Sequence, residues 1–209
     1  MNSTTKKGLS YFKKNTYKEH EELFHNLKDN QHPHTLFIAC SDSRVSPELI
    51  TDSLPGEIFT IRNIANTVPS LQQEPYDLTT LSSIEYAIQV LKVEQIIICA
   101  HSNCGGCAAA LSTVESLTDL PYTKEYLKPL AGVREKVEEK QARKEQLSKA
   151  TLMEQENAVE QLNHLYEYPE IRERVERGEL TLEAWHYDID SGTVLIYDEK
   201  SEEFHPPVD

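Results

Sequence analysis

Thr35-Leu36-Phe37-Ile38-Ala39-Cys40 and Gln95-Ile96-Ile97-Ile98-Cys99-Ala100 are continuous apolar runs, and each breaks at once into polar residues. The first runs into Ser41-Asp42-Ser43-Arg44, the second into His101-Ser102-Asn103-Cys104. Short runs with no polar alternation read as strands buried on both faces. Pro55-Gly56 makes a turn into a further strand, Glu57 to Arg62. Between the strands lie helix signals. Ser46 before Pro47 offers a hydroxyl cap and a proline at the first helical position. From Asp77 onward, Leu78, Leu81, Ile84, Ile88 and Leu91 recur at helical spacing, giving one buried stripe. Buried strands alternating with helices predict an α/β fold, a mostly parallel central β-sheet flanked by helices. In such sheets ligands sit at the carboxyl ends of the strands. Segments 40–44 and 101–107 both fall there.

Working outward, residues 1–30 read as a polar, amphipathic N-terminal helical arm, with Tyr11, Phe12, Leu23, Phe24 and Leu27 as packing residues. Residues 31–209 read as a single α/β domain, which suits a chain of 209 residues without internal repeats. Residues 124–177 are strongly helical. Their charged middle, Arg134 to Lys149, reads as a solvated face, followed by apolar spacing at Leu152, Val159, Leu162 and Tyr166. Gly178 ends the region. Thr181 to Asp188 and Thr193 to Tyr197, joined through Asp190-Ser191-Gly192, predict a closing antiparallel hairpin at the C-terminus.

With 35 acidic against 21 basic side chains, the formal net charge is −14, a field that repels nucleic acid and anionic membrane. No stretch approaches the roughly 18 to 20 apolar residues that span a bilayer. The expectation is a soluble, cytoplasmic protein with no nucleic-acid or membrane partner. Cysteines Cys40, Cys99, Cys104 and Cys107 accompany a histidine, and three of them crowd into nine residues, which suggests metal or catalysis before disulfides.

Residues two apart on an extended chain point the same way. Cys40, Asp42 and Arg44 then share one side, a thiolate, a carboxylate and a guanidinium that make a site rather than a core. His101 and Cys104 can both reach one ion. Taken singly, each segment is weak: the first also reads as a turn with a surface ion pair, the second as a core cysteine beside a satisfied histidine. Together, Cys40, His101 and Cys104 form a zinc-suited donor set that leaves the fourth tetrahedral position free, the pattern of a catalytic site. Cys107 is the rival fourth ligand of a closed structural site, although the Gly105-Gly106 step before it suits close approach by a small ligand. Cys99, inside a strand, reads as a small hydrophobe. Two thiolates cancel the ion's formal charge, so bound water is acidified less than by neutral ligands and needs help. Asp42 can hold that water, and Arg44 can keep Asp42 ionised and turned away from the metal. Should the pair break, Asp42 itself can take the fourth position.

Over residues 18–198 the chain resembles the β-class carbonic anhydrases, or carbonate dehydratases. The resemblance rests on Cys40-Ser41-Asp42-Ser43-Arg44, His101 to Gly105, Pro55-Gly56 and Arg62-Asn63-Ile64-Ala65-Asn66, in that family's order and separation. It implies Cys40, His101 and Cys104 as ligands of one Zn²⁺ per subunit, and Asp42 as an alternative metal ligand. It further implies an Asp42–Arg44 catalytic dyad and reversible hydration of carbon dioxide to bicarbonate and a proton by hydroxide held at zinc. Gln31, Gly105, Val68 and Tyr86 then bind substrate, some of them across a subunit interface, in a homodimer or homotetramer. His32 and His34 are possible proton shuttles. The chain departs from the family in two places. Phe37 stands where members with a regulatory bicarbonate site carry tryptophan, although Arg62 and Tyr187 match that site. Glu183-Ala184-Trp185-His186-Tyr187-Asp188 replaces a common His-Gly-Trp-x-Tyr-Asp pattern. Three rivals stay open: a cumulene hydrolase on the same scaffold, acting for instance on carbon disulfide; a metal-free hydrolase using Cys40 with His101; and a non-catalytic zinc-binding module.

Overall fold

In the computed structural model, which describes residues 4–72, 77–112, 117–142 and 147–207, the two apolar runs are neighbouring strands. Part of the charged run, 143–146, lies outside the described residues. β1 (Thr35–Cys40) is buried along its whole length, and β3 (Gln95–His101) along all but its first residue. They pair in parallel, from Thr35 against Gln95 to Ala39 against Cys99. β2 (Ile58–Asn63) lies parallel on the other side of β1, and β4 (Thr181–Tyr187) extends the parallel set beyond β3. β5 (Val194–Asp198) and β6 (Glu203–His205) add on antiparallel, giving the order β2-β1-β3-β4-β5-β6. The fold class is therefore the one expected from the sequence. One strand does double duty: β4 closes the parallel set and opens the hairpin. β6 was not foreseen, because three residues carry no readable period.

The two faces of β1 and β3 build separate cores, as period-two geometry requires. Leu36, Ile38, Ile96 and Ile98 join Ile84, Ile88, Leu162 and Leu165 on one face. Phe37, Ala39, Ile97 and Cys99 join Val45, Ile50, Trp185 and Tyr187 on the other. The first face is covered by α5 (Leu78–Tyr86), which Asp77 caps through the N–H groups of Thr79 and Thr80. This helix loosens into a π turn over Ala87–Leu91 and stops at Lys92, φ 58°. Its buried stripe starts later than the spacing suggested, for Leu78 is exposed.

α9 (Lys149–Glu167) lies against β3 and β4 and buries Leu152, Met153, Ala158, Leu162 and Leu165. Val159 is only half-buried and Tyr166 is exposed, contrary to the apolar spacing. The helix is rotated from that stripe because Glu154, Asn157, Gln161 and His164 turn inward and find partners there. After the short α7 (Pro121–Tyr126), α8 (Ala131–Ala142) packs on α9, buries Val133 and Val137 and sends Lys136 and Lys140 to Glu160 and Glu156 of α9. α10 (Pro169–Glu176) buries Ile171 and precedes Gly178, whose φ of +69° turns the chain toward β4.

At the N-terminus, α1 (Thr4–Lys14), α2 (Thr16–Glu19) and α3 (Glu21–Leu27) bury no residue. Phe12, Tyr17 and Phe24 contact one another instead. Leu27 ties the arm down by packing on Gly56, where φ is +95° and an added Cβ would meet the leucine at 2.8 Å. α4 (Pro47–Ile50) is a single turn, and Ser46 makes no side-chain cap bond.

Candidate metal centre

From β1 the chain builds β2 on one side, then crosses back to build β3 on the other. The crevice outside the carboxyl ends of β1 and β3 is thus a topological switch point, where such sheets bind ligands. Cys40 is the last residue of β1 and His101 the last of β3. Cys104 follows after a turn through Asn103, φ 56°, and immediately precedes α6 (Gly105–Leu111). One ligand atom each from Cys40, His101 and Cys104 lies within 4.8 Å of the others, and all three residues are buried. The two sulfurs are 3.9 Å apart.

Two observations fit this set to a metal ion. His101 Nδ1 is 3.0 Å from the Ser102 carbonyl, which assigns the proton to Nδ1, while the buried Nε2 has no hydrogen-bond partner. An imidazole held this way presents its free lone pair as metal ligands do. The sulfurs tell the same story. Hydrogen bonding with Cys104 pushes the Cys40 thiol up to about 12, and hydrogen bonding with Cys107 pushes Cys104 up to about 12. Packed together they resist ionising alone, and a divalent cation held by both would supply the charge that favours the thiolates. Cys107 is buried but stands outside the converging set, with Asn157 Nδ2 donating toward its sulfur at 3.8 Å.

Asp42 and Arg44 reach the site by a route other than extended alternation. The chain turns at Asp42, whose carbonyl accepts from Val45 N–H and whose Oδ1 accepts from Arg44 N–H. That turn folds Arg44 back onto the Asp42 carboxylate in a two-pronged pair. The guanidinium holds the Asp42 carboxyl well below the usual carboxylate range. Arg62 fastens the same loop, donating to the carbonyls of Cys40 and Asp42. Of the Gly105-Gly106 step, Gly106 is the residue in close contact. A Cβ there would meet Ala65 Cβ and Ile64 Cγ2 at 2.9 Å, so the missing side chain makes room for the chain's own 64–65 loop. Gly105, first in α6, is exposed with open space beside it.

The remaining residues named from the sequence are spread out. Val68 is buried, its N–H bonded to Gln161 Oε1, while Tyr86 is half-exposed and stacks on Phe59. Gln31, with His32 and His34, precedes β1 and so sits at the opposite end of that strand from Cys40. Phe37 is fully buried, edge-on to Trp185. Sequence reasoning missed Glu154 and His186, buried directly behind Cys104. Nothing in helical periodicity marks a glutamate on a core-facing turn.

A three-ligand metal site at the switch point of a parallel sheet defines the class as an α/β metalloenzyme. The carbonic anhydrase family model matches residues 35–194. The chain is 39% identical to a carbonic anhydrase of Helicobacter pylori over 202 residues, covering 95% of this chain and 91% of that one. It is 38% identical to carbonic anhydrase 1 of Escherichia coli O157:H7 over 199 residues, with 95% and 89% covered. The solved structure of the β-carbonic anhydrase CcaA matches with a TM-score of 0.90 at 37% identity, over 97% of this chain and 90% of that one. The chain belongs to the β class of the carbonic anhydrases, zinc enzymes that hydrate carbon dioxide.

Proposed function

We propose that the protein interconverts carbon dioxide and bicarbonate at one zinc ion per subunit, held by Cys40, His101 and Cys104. The observation that carries this reading is the convergence of two buried sulfurs and an unpartnered imidazole nitrogen within 4.8 Å. When bound, zinc supplies Lewis acidity and lowers the pKa of water in its fourth position. Asp42 accepts a hydrogen bond from the attacking water and aims it at the substrate carbon. Arg44 keeps that carboxylate ionised and turned aside. With Oδ2 only 3.9 Å from His101 Nε2, Asp42 can also swing onto the metal and close the site.

Gly105 N–H, at the open start of α6, donates to a substrate oxygen. Val68 and Tyr86 line a narrow apolar slot, and Gln31 bonds a further substrate oxygen. β1 spans about 17 Å from Thr35 to Cys40 at 3.3 Å per residue, and Gln31 lies before its start. In this reading Gln31 therefore serves a neighbouring subunit, and the working enzyme is a homodimer or homotetramer. The solved enzymes from Sordaria macrospora, one of which matches with a TM-score of 0.78 at 31% identity, are described as tetrameric. Among the described residues no helix is long and apolar enough to cross a membrane, and we place the enzyme in the cytoplasm.

Metal analysis with stopped-flow hydration tests the reading, carbon disulfide hydrolysis being assayed alongside. One equivalent of zinc and rapid hydration are expected. Zinc-loaded protein that leaves carbon dioxide untouched would overturn it, and carbon disulfide turnover in its place would favour the cumulene hydrolase.

A further inference from the structure

Behind Cys104, two ionisable side chains from distant parts of the chain are buried against each other. Glu154 lies in the second turn of α9 and is 3% exposed; His186 lies in β4 and is 4% exposed. Glu154 Oε1 accepts the backbone N–H of Cys104 at 3.1 Å, and Oε2 is 3.0 Å from His186 Nε2. With the imidazole proton on Nε2, both carboxylate oxygens accept a hydrogen bond. The edge of the His186 ring packs near Phe204, centroids 6.4 Å apart.

A carboxyl group is an expensive choice for this position. Its neighbours Leu152 and Met153 belong to the same apolar cluster as Cys40 and Cys104, and an apolar side chain would fill the space at lower desolvation cost. What leucine cannot do is hold an amide. The peptide unit between Asn103 and Cys104 is gripped at both ends: its carbonyl accepts from Arg44 Nη2 at 3.0 Å, and its N–H donates to Glu154. Asn103 needs such a grip, since φ 56° is a conformation that a side-chain-bearing residue seldom holds without support. The plane of that peptide sets the direction in which Cys104 projects its sulfur.

We propose that Glu154, braced by His186, is a positioning residue of the metal centre, locking the Asn103–Cys104 peptide so that the Cys104 sulfur points at the ion. The proposal rests on the zinc reading of the site. It assigns to α9 and β4 a share in metal affinity, although neither supplies a ligand.

The test is zinc affinity by chelator competition, with the thiolate-to-cobalt absorption bands of the cobalt-loaded protein and the melting temperature of the stripped protein. Glu154→Leu should leave the stripped protein folded, weaken zinc binding about 10- to 100-fold and alter the cobalt bands. Glu154→Gln keeps an acceptor oxygen for the Cys104 amide and should recover most of that affinity. His186→Phe removes only the brace and should cost several-fold. Folded Glu154→Leu with wild-type affinity and an unchanged cobalt spectrum would overturn the proposal, as would a glutamine variant no better than leucine. Should Glu154→Leu not fold, His186→Phe decides: a several-fold loss upholds the proposal and unchanged affinity overturns it. Wild-type protein that takes up no zinc sinks the zinc reading and this inference together; tight wild-type binding with indifferent variants sinks this inference alone.

Discussion

Arg44 grips both carboxylate oxygens of Asp42, through Nε at 2.9 Å and Nη2 at 2.7 Å, while Asp42 Oδ2 stands 3.9 Å from His101 Nε2. The arginine side chain is 46% exposed, so the pair adds little to stability. What it fixes is direction. In the proposed reading one carboxylate has two destinations, the guanidinium and the metal, and Arg44 holds it to the first.

Replacing Asp42 with asparagine keeps the shape of that contact and removes the charge. Zinc content should stay at one equivalent, while the hydration rate falls about 10²- to 10⁴-fold, the range for losing a positioned proton acceptor. Stopped-flow assays beside metal analysis measure this, and full activity with zinc retained refutes the dyad.

Arg44→Ala frees the carboxylate instead of deleting it. The expected result is a zinc-loaded protein with little activity, in which X-ray absorption shows an added oxygen ligand from carboxylate. An unaltered coordination shell at full rate would show that Arg44 does not restrain Asp42.

Cys104→Ser should lose zinc and hydration together, whereas Cys107→Ala should keep both, since Cys107 stands outside the converging set. Release of metal by Cys107→Ala would return the site to a closed, structural type.

A buried chain of amides holds the loop beside the site. Val68 N–H donates to Gln161 Oε1, Gln161 Nε2 to Asn157 Oδ1, and Asn157 Nδ2 to the Ala65 carbonyl, each at 2.7 or 2.8 Å. Ala65 and Asn66 both have positive φ, 60° and 47°, so this turn is held from outside rather than by its own preference. Asn157→Ala leaves two buried groups unpaired and should cost about 2–4 kcal/mol. Urea unfolding reads this as a lower midpoint at constant slope; an unmoved midpoint removes the network's structural role.

Between α8 and α9, Lys136 donates to Glu160 at 2.6 Å. Burial by itself would raise the Glu160 carboxyl, but Lys136, joined by Asn163 and His164, holds the group below its ordinary value. A depressed carboxyl stabilises the fold above its unfolded value, near ~4.3, and loses that contribution as pH falls through its folded value. A double-mutant cycle with Lys136→Met and Glu160→Gln should give a coupling of about 0.2–1 kcal/mol at neutral pH. The coupling should fade as pH falls below the ordinary carboxylate range; a constant value across pH would contradict the pairing.

The strands and three metal-facing residues were legible because the cues are local. An unbroken apolar run such as Ile96-Ile97-Ile98 is buried on both faces wherever it sits, and a ligand at its carboxyl end inherits that place. Asp42 and Arg44 do pair, by a geometry other than the one expected. Extended alternation was expected, and a turn delivers them, because a carboxylate can bond the amide two residues on and fold its own chain. α9 was misread for a related reason. Spacing counts apolar residues, and this helix buries Glu154, Asn157, Gln161 and His164.

By itself, then, the sequence determined which segments must be buried, which donors end up at strand termini, and a chemistry suited to a soft divalent ion. These follow from side-chain polarity and chain periodicity, which every residue carries with it. Only the tertiary structure decided that Cys107 stands beside Asn157 and outside the converging donors, that Gly106 makes room for Ala65, and that Glu154 and His186 meet behind Cys104. Those pairings join residues tens of positions apart. A polar group's burial is tolerable only once its partner has arrived, so no local reading reveals it.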